Sequence, residues 1–193
     1  MKAIAVYCGS ATPRDEVYIN AARQVGTLLA QRGITVVYGG GRLGLMGAVA
    51  DSALAAGGNV IGVIPEALVN SEVAHRGCTE LHIVPGMHER KKAFTDLSDG
   101  FINLPGGVGT MDELWEAVSW SQLGYHSKPV GLLNIAGYYD ELLKFYTHMA
   151  EVGFVRPAHK DIIISSGQLD DLLQKMQDYV PHKNIFQMKA DDL

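Results

Sequence analysis

Seven short apolar runs recur along the 193-residue chain, and segments with helical periodicity separate most of them. The runs cover residues 3–8, 34–38, 60–64, 81–84, 101–104, 130–133 and 162–164. Runs of this length with little polar alternation read as strands buried on both faces. Parallel strands of one sheet need long crossovers, and helices supply them. The pattern therefore predicts an α/β domain: a parallel, doubly wound sheet of about seven strands with right-handed crossovers and helices on both faces. A helix over 17–32 would turn Val17, Ala21, Val25, Leu28 and Leu29 to one side and stop at Gly33. A small-residue helix over 45–56 ends at Gly57-Gly58, and one over 111–123 buries Leu114, Val118 and Trp115 before Gly124 closes it. No linker, repeat or low-complexity stretch divides the chain, so residues 1–193 read as a single domain. The tail after Pro181 has little apolar pattern and reads as loosely held. Residues 65–80 look irregular and form a candidate active-site loop.

A parallel sheet of this kind binds ligands beyond the carboxyl ends of its strands. The residues that follow each run are therefore the informative ones: Gly9-Ser10, Gly39-Gly40-Gly41, Pro65-Glu66, Pro85-Gly86 and Pro105-Gly106-Gly107. Two of these turns continue as glycine loops into helices. In the first, Gly39, Gly41 and Gly44 let backbone N–H groups approach an anion closely, and the helix N-terminus adds partial positive charge. The same spacing satisfies a dinucleotide fingerprint, but it follows the second strand, not the first. The second loop runs Gly106-Gly107-Val108-Gly109-Thr110, with Thr110 suited to cap the helix or to bond a phosphate oxygen. Neither loop carries the Gly-Lys-Ser/Thr of a triphosphate-binding loop.

Such a local device is needed, because the bulk charge does not attract phosphate. The formal net charge is -5, which gives no general attraction for nucleic acid or anionic membrane. No stretch is long and apolar enough to span a bilayer. The first apolar run is too short for a signal peptide and reads as a strand. Cys8 and Cys78 form no CxxC pair and read as reduced thiols of a cytoplasmic protein. The seven histidines show no metal spacing.

Between the loops, Arg90 offers a planar fork for phosphate or ribose oxygens, and Lys91 a point charge. Glu113 follows the second glycine loop. A carboxylate there either complements the helix dipole or stands beside a bound sugar. Cleavage of an N-glycosidic bond passes through an oxocarbenium-like state, which a nearby carboxylate stabilises while it positions water. Trp115, Trp120 and Tyr125 read as core or interface residues.

Taken together, the strings Gly39-Gly40-Gly41-x-x-Gly44-Leu45-Met46-Gly47, Met87-His88-Glu89-Arg90-Lys91 and Pro105-Gly106-Gly107-x-Gly109-Thr110-x-x-Glu113 resemble the LONELY GUY (LOG) family of cytokinin riboside 5'-monophosphate phosphoribohydrolases. The resemblance covers about residues 5–157. It implies a Rossmann-like three-layer sandwich, a homodimer, and hydrolysis of an adenine-type nucleoside 5'-monophosphate to free base and ribose 5-phosphate, with no metal or organic cofactor. It implies catalytic roles for Arg90 and Glu113. Glu72, Lys91, Gly107, Val108, Gly109, Thr110 and Ser119 fall on positions near the substrate. Asp112 stands where many members have a glutamate. Members often carry the label lysine decarboxylase in error. That chemistry needs a Schiff-base lysine and a cofactor site, and Lys91 and Lys92 sit in a segment better suited to phosphate. Two other readings remain open at this point: a non-catalytic nucleotide-binding module, and a dinucleotide-dependent oxidoreductase resting on Gly39, Gly41 and Gly44.

Overall fold

The computed structural model describes residues 1–69 and 74–187. Its strands are β1 (Ala3–Tyr7), β2 (Thr35–Tyr38), β3 (Val60–Pro65), β4 (Glu80–Val84), β5 (Gly100–Asn103), β6 (Val130–Leu133) and β7 (Ile163–Ser166). Its helices are α1 (Glu16–Gln31), α2 (Gly44–Ala55), α3 (Met87–Leu97), α4 (Val108–Leu123), α5 (Asp140–Glu151) and α6 (Leu169–Gln177). All strand pairings are parallel, in the order β4-β3-β2-β1-β5-β6-β7. The predicted α/β sheet of seven strands is present.

Period-2 alternation along each strand divides the core into two layers. In β1, Ile4 and Val6 join Ala22, Val25 and Leu29 of α1, Val49 and Ala53 of α2, and Leu172 and Met176 of α6. Ala5 and Tyr7 face the opposite way, toward Phe94 of α3 and Leu114 and Val118 of α4. The sheet is thus sandwiched between two helical layers.

Local chemistry sets the helix ends. Asp15 caps α1 by accepting from the Val17 N–H at 2.9 Å, and Gly33 leaves it at φ 68°. The buried stripe of α1 is Ala21, Ala22, Val25, Gly26 and Leu29; Val17, expected on that stripe, is exposed. The stripe favours small residues because α1 and α2 approach at backbone distance: a Cβ at Gly26 would collide with the Val49 carbonyl. The last strand lies slightly beyond its expected place and includes Ser165 and Ser166, which pair with Leu132 and Leu133. Ladder pairing uses backbone groups, so an edge strand admits polar residues that an apolar-run search misses.

The tail beyond Pro181 is described as far as Gln187. His182 Nε2 donates to the Ser121 carbonyl at 3.2 Å, and the Ile185 N–H donates to Gln122 at 3.1 Å. Among the described residues, no helix is long and apolar enough to cross a membrane.

The chain builds β1 to β4 outward on one side, then returns across β1 to lay down β5, β6 and β7 on the other. Neighbouring crossovers diverge where that order reverses, between β1 and β5, and a crevice opens beyond the strand ends.

Candidate active site

A cleft of about 190 Å³ occupies that crevice. Tyr7, Cys8, Gly9 and Ser10 line it from the end of β1, Gly39 from the end of β2, and Gly107, Val108, Gly109 and Thr110 from the turn after β5. Arg90 of α3 and Glu113 of α4 complete the wall.

Arg90 enters through backbone. Its side chain is only 7% exposed, and a buried charge requires partners. Nε donates to the Val63 carbonyl and Nη2 to the Gly39 carbonyl, each at 3.2 Å. The guanidinium carbon lies 5.4 Å from the Phe94 ring centroid, a cation–π distance. Nη1 stands 4.0 Å from Glu113 Oε1. Gly39 makes this placement possible: a Cβ there would collide with Arg90 Nη2 and lie 3.0 Å from Met46 Sδ.

The second glycine loop differs from its sequence reading in one respect. Helix α4 starts at Val108, inside the glycine pattern, not at Met111. Its N-cap is Gly107, which makes no side-chain capping bond. Thr110 is therefore a first-turn residue and not the cap. It is buried beneath Gly106, where a Cβ would lie 2.7 Å from the Thr110 Cβ and 2.8 Å from the Gly9 nitrogen. The first four N–H groups of a helix have no intrahelical acceptor. Here the residues that carry them, Gly107 to Thr110, line the cleft, with no acidic side chain in the first turn. Combined with the helix dipole, this is an anion cradle. Glu113 stands in the second turn, beyond the reach of that dipole effect, and its side chain is 13% exposed.

Cys8 and Tyr7 share the cleft as neutral groups. Burial, and then the Glu113 carboxylate, push the Cys8 thiol well up. A thiol in that state is a poor nucleophile. Burial raises the Tyr7 phenol as well, assisted by Glu113 and Glu116 and opposed by Arg90.

The structure separates the remaining predicted residues. Lys91 points between α3 and α4, where Nζ meets Glu116 Oε2 at 2.8 Å and Asp112 Oδ2 at 3.2 Å. The Glu116 bond, with further help from Asp112, raises its pKa and holds it protonated. Gly41 bridges to Ala74. Gly44, at φ 58°, packs its α-carbon against the backbone of Ser10 and Ala11, while the next N–H, of Leu45, donates to the Gly9 carbonyl at 3.0 Å. Ser119 is exposed on α4, about 16 Å along the helix from Val108. Glu72 lies outside the described residues, as does part of the 65–80 segment. Cys8 and Met46 also line the cleft but were not singled out from sequence; both are apolar residues beside glycine turns, with no pattern that distinguishes them from core. No group of three or more His, Cys, Asp or Glu side chains that could hold a metal occurs among the described residues.

Comparison with known proteins identifies the lineage. Residues 46–176 match a family model described as "Possible lysine decarboxylase". Cytokinin riboside 5'-monophosphate phosphoribohydrolase LOG1 of Arabidopsis thaliana is 44% identical over 190 residues, spanning 98% of this chain and 89% of that protein. Cytokinin riboside 5'-monophosphate phosphoribohydrolase LOG of Oryza sativa subsp. japonica is 46% identical over 182 residues, spanning 94% and 75%. Among solved structures, the Moco carrier protein from Chlamydomonas reinhardtii matches with a TM-score of 0.69 at 22% identity, over 91% of this chain and 95% of that one; a likeness at this identity bears on the fold alone. With its three sequence strings intact and 44–46% identity to these enzymes over nearly the whole chain, the chain belongs to the LOG family of cytokinin riboside 5'-monophosphate phosphoribohydrolases.

Proposed function

We propose that the protein hydrolyses the N-glycosidic bond of adenine-type nucleoside 5'-monophosphates, AMP or an N6-modified relative, to free base and ribose 5-phosphate. The observation that carries this reading is the meeting of three features in one cleft: an uncapped helix N-terminus, a buried guanidinium and a carboxylate 4.0 Å from it. Phosphate binds the N–H groups of Gly107 to Thr110. Arg90 bonds phosphate or ribose oxygens and orients the sugar. Glu113 faces the ribose, stabilises the positive charge that grows as the C1'–N bond breaks, and takes a proton from the attacking water. The hydroxyl adds to C1' as the C1'–N bond breaks, and the proton taken up by Glu113 is passed on through solvent to the departing base, which restores the carboxylate. No metal or organic cofactor takes part.

The cleft is smaller than the 300–1,000 Å³ usual for a whole small-molecule site. It fits the sugar phosphate and leaves the base at the mouth. A homodimer in which a second copy completes the base pocket is part of the same proposal, and so is a cytoplasmic location, with neither nucleic acid nor membrane as partner. An exposed groove between α3 and α4, lined in part by Trp120 and Tyr125, supports the dimer.

Two rival chemistries fit less well. A Schiff base needs a neutral amine in the cleft, whereas Lys91 points elsewhere and is held protonated. A dinucleotide site on the first glycine loop needs Gly41 and Gly44 open to a ligand, whereas Gly41 pairs with Ala74 and Gly44 packs against the backbone of Ser10 and Ala11.

The deciding experiment incubates the purified protein with AMP and with N6-isopentenyl-AMP, without added metal or NAD, and follows base and ribose 5-phosphate by chromatography. Release of base from either is the expected result. Folded protein that binds AMP and releases nothing would favour a non-catalytic nucleotide-binding module.

A further inference from the structure

The turn between β6 and α5 aims two tyrosines at the second glycine loop. The Tyr139 hydroxyl donates to the Leu104 carbonyl at 2.5 Å, and the Tyr138 hydroxyl to the Gly106 carbonyl at 2.6 Å. The turn is unusual. Ala136, at φ 51°, is the one non-glycine residue with positive φ among the described residues, and Gly137 follows at φ 71°. Left-handed backbone is costly for alanine and persists only where its surroundings enforce it. Asn134 supplies part of that enforcement, accepting from the Tyr139 N–H and donating to Asp140, both at 2.7 Å. The Tyr138 ring is braced edge-on by Tyr139 at 4.9 Å and by Tyr18 of α1 at 5.8 Å. Tyr138 nevertheless remains 45% exposed, so the turn does not serve chiefly to bury it.

Its hydroxyl acts on the peptide between Gly106 and Gly107, immediately before α4. Gly106 packs against Thr110 and Gly9, while Gly107 has no side chain to restrict its own rotation. No heavy atom lies within 4 Å of a Cβ built at Gly107. In a trans peptide the carbonyl of one residue and the N–H of the next point in opposite directions. Tyr138 is not among the residues lining the cleft, whereas Gly107 is. Holding the Gly106 carbonyl toward Tyr138 therefore turns the Gly107 N–H the other way, toward the cleft. We infer that Tyr138 is a positioning residue: it fixes the 106–107 peptide plane, so that the Gly107 N–H and the first turn of α4 are oriented before a phosphate arrives. This inference rests on the reading of the cleft as a nucleoside monophosphate site.

The test compares wild type with Tyr138→Phe. Ribose 5-phosphate binding is measured by calorimetry, base release from AMP by steady-state kinetics, and folding by thermal melting. Loss of one neutral hydrogen bond that orients a donor should raise the Kd for ribose 5-phosphate and the KM for AMP together, by roughly 3- to 10-fold. It should leave kcat within about twofold and lower the melting temperature by no more than about 4 °C. Unchanged ribose 5-phosphate affinity would overturn the inference. So would a loss of affinity accompanied by a matching drop in melting temperature and kcat, which is the mark of a merely structural tyrosine. Wild type that binds ribose 5-phosphate but releases no base would sink the hydrolase reading and leave the Tyr138 test intact. Wild type that binds no sugar phosphate would sink both.

Discussion

Arg90 and Glu113 sit on different helices, 23 positions apart in sequence, and come together because α3 runs from the end of β4 back toward β5, α4 starts at the end of β5, and both pack on the same face of β1. The division of labour proposed for them makes distinct demands. Glu113 acts on charge that exists only as the glycosidic bond breaks, so Glu113→Gln should lower kcat by at least about 100-fold, as loss of a preorganised electrostatic partner does. KM for AMP should stay within about threefold, because the phosphate cradle is untouched; a variant that changes KM alone would recast Glu113 as a binding group. A second residue-scale prediction concerns stability. His126 is buried, its Nε2–H donating to the Ala117 carbonyl at 2.9 Å and its Nδ1 accepting the Lys128 N–H at 3.2 Å. A proton added at Nδ1 would face that N–H. Burial, opposed by the Ala117 bond, lowers the His126 pKa to about 4 from 6.5. Between those values the unfolded chain binds a proton that the folded chain refuses, so stability falls as pH drops through that window, by up to about 1.4 kcal/mol per pH unit. His182 is shifted in the same direction by burial. Asp99, whose carboxyl is lowered by the Lys2 N–H, loses its contribution only below 3.8, outside the window. Urea unfolding midpoints at pH 7 and pH 4.5 should therefore converge in His126→Gln relative to wild type. An equal acid loss in the two proteins would place the proton uptake elsewhere.

At the scale of elements, the apolar runs were legible because every interior strand is buried on both faces and needs unbroken hydrophobic sequence. The helix start of α4 was not, because glycine reads as turn even where the backbone is helical: Gly109 belongs to the first turn despite its low propensity. The first glycine loop was legible as a motif, but its physical use was hidden. Read from sequence, Gly39, Gly41 and Gly44 all make room for an anion; in the structure Gly39 makes room for the Arg90 guanidinium, Gly44 for the backbone of Ser10 and Ala11, and Gly41 pairs with Ala74. Pattern reading sees that a close approach is needed and cannot see what approaches. Likewise nothing within the β6–α5 segment announces that Tyr138 reaches a carbonyl 32 residues away. The Gly39 assignment is testable. Gly39→Ala should expel the guanidinium from its seat between the Val63 and Gly39 carbonyls, reducing base release at least tenfold, as removal of an orienting group does. Overpacking should also cost about 1–3 kcal/mol of stability in urea unfolding. An alanine variant with full activity would show that Arg90 does not need this seat.

The whole molecule places its cleft where the strand order reverses, and that position explains both what one chain supplies and what it lacks. Three strand ends and two helices converge there, enough to enclose a volume of about 190 Å³ around the anion cradle. Val108, at the mouth, is 87% exposed, so within one chain nothing covers it and a base resting there stays open to water. A second copy can supply it if it docks along α3 and α4. The groove there carries Trp120 and Tyr125 with ring centroids 6.1 Å apart, and Tyr125 is 73% exposed. Aromatic side chains of this kind are the usual anchors of a subunit interface. Placing a carboxylate at Tyr125 would bury an unpaired charge in such an interface and should dissociate it. Sedimentation of wild type should therefore give about twice the chain mass, and Tyr125→Glu the mass of one chain. The same variant should raise KM for AMP more than it raises the Kd for ribose 5-phosphate, since the partner is proposed to complete the base pocket and not the phosphate cradle. A Tyr125→Glu protein that remains dimeric would move the interface away from this groove. One that becomes monomeric with unaltered KM would show that a single chain holds the base by itself.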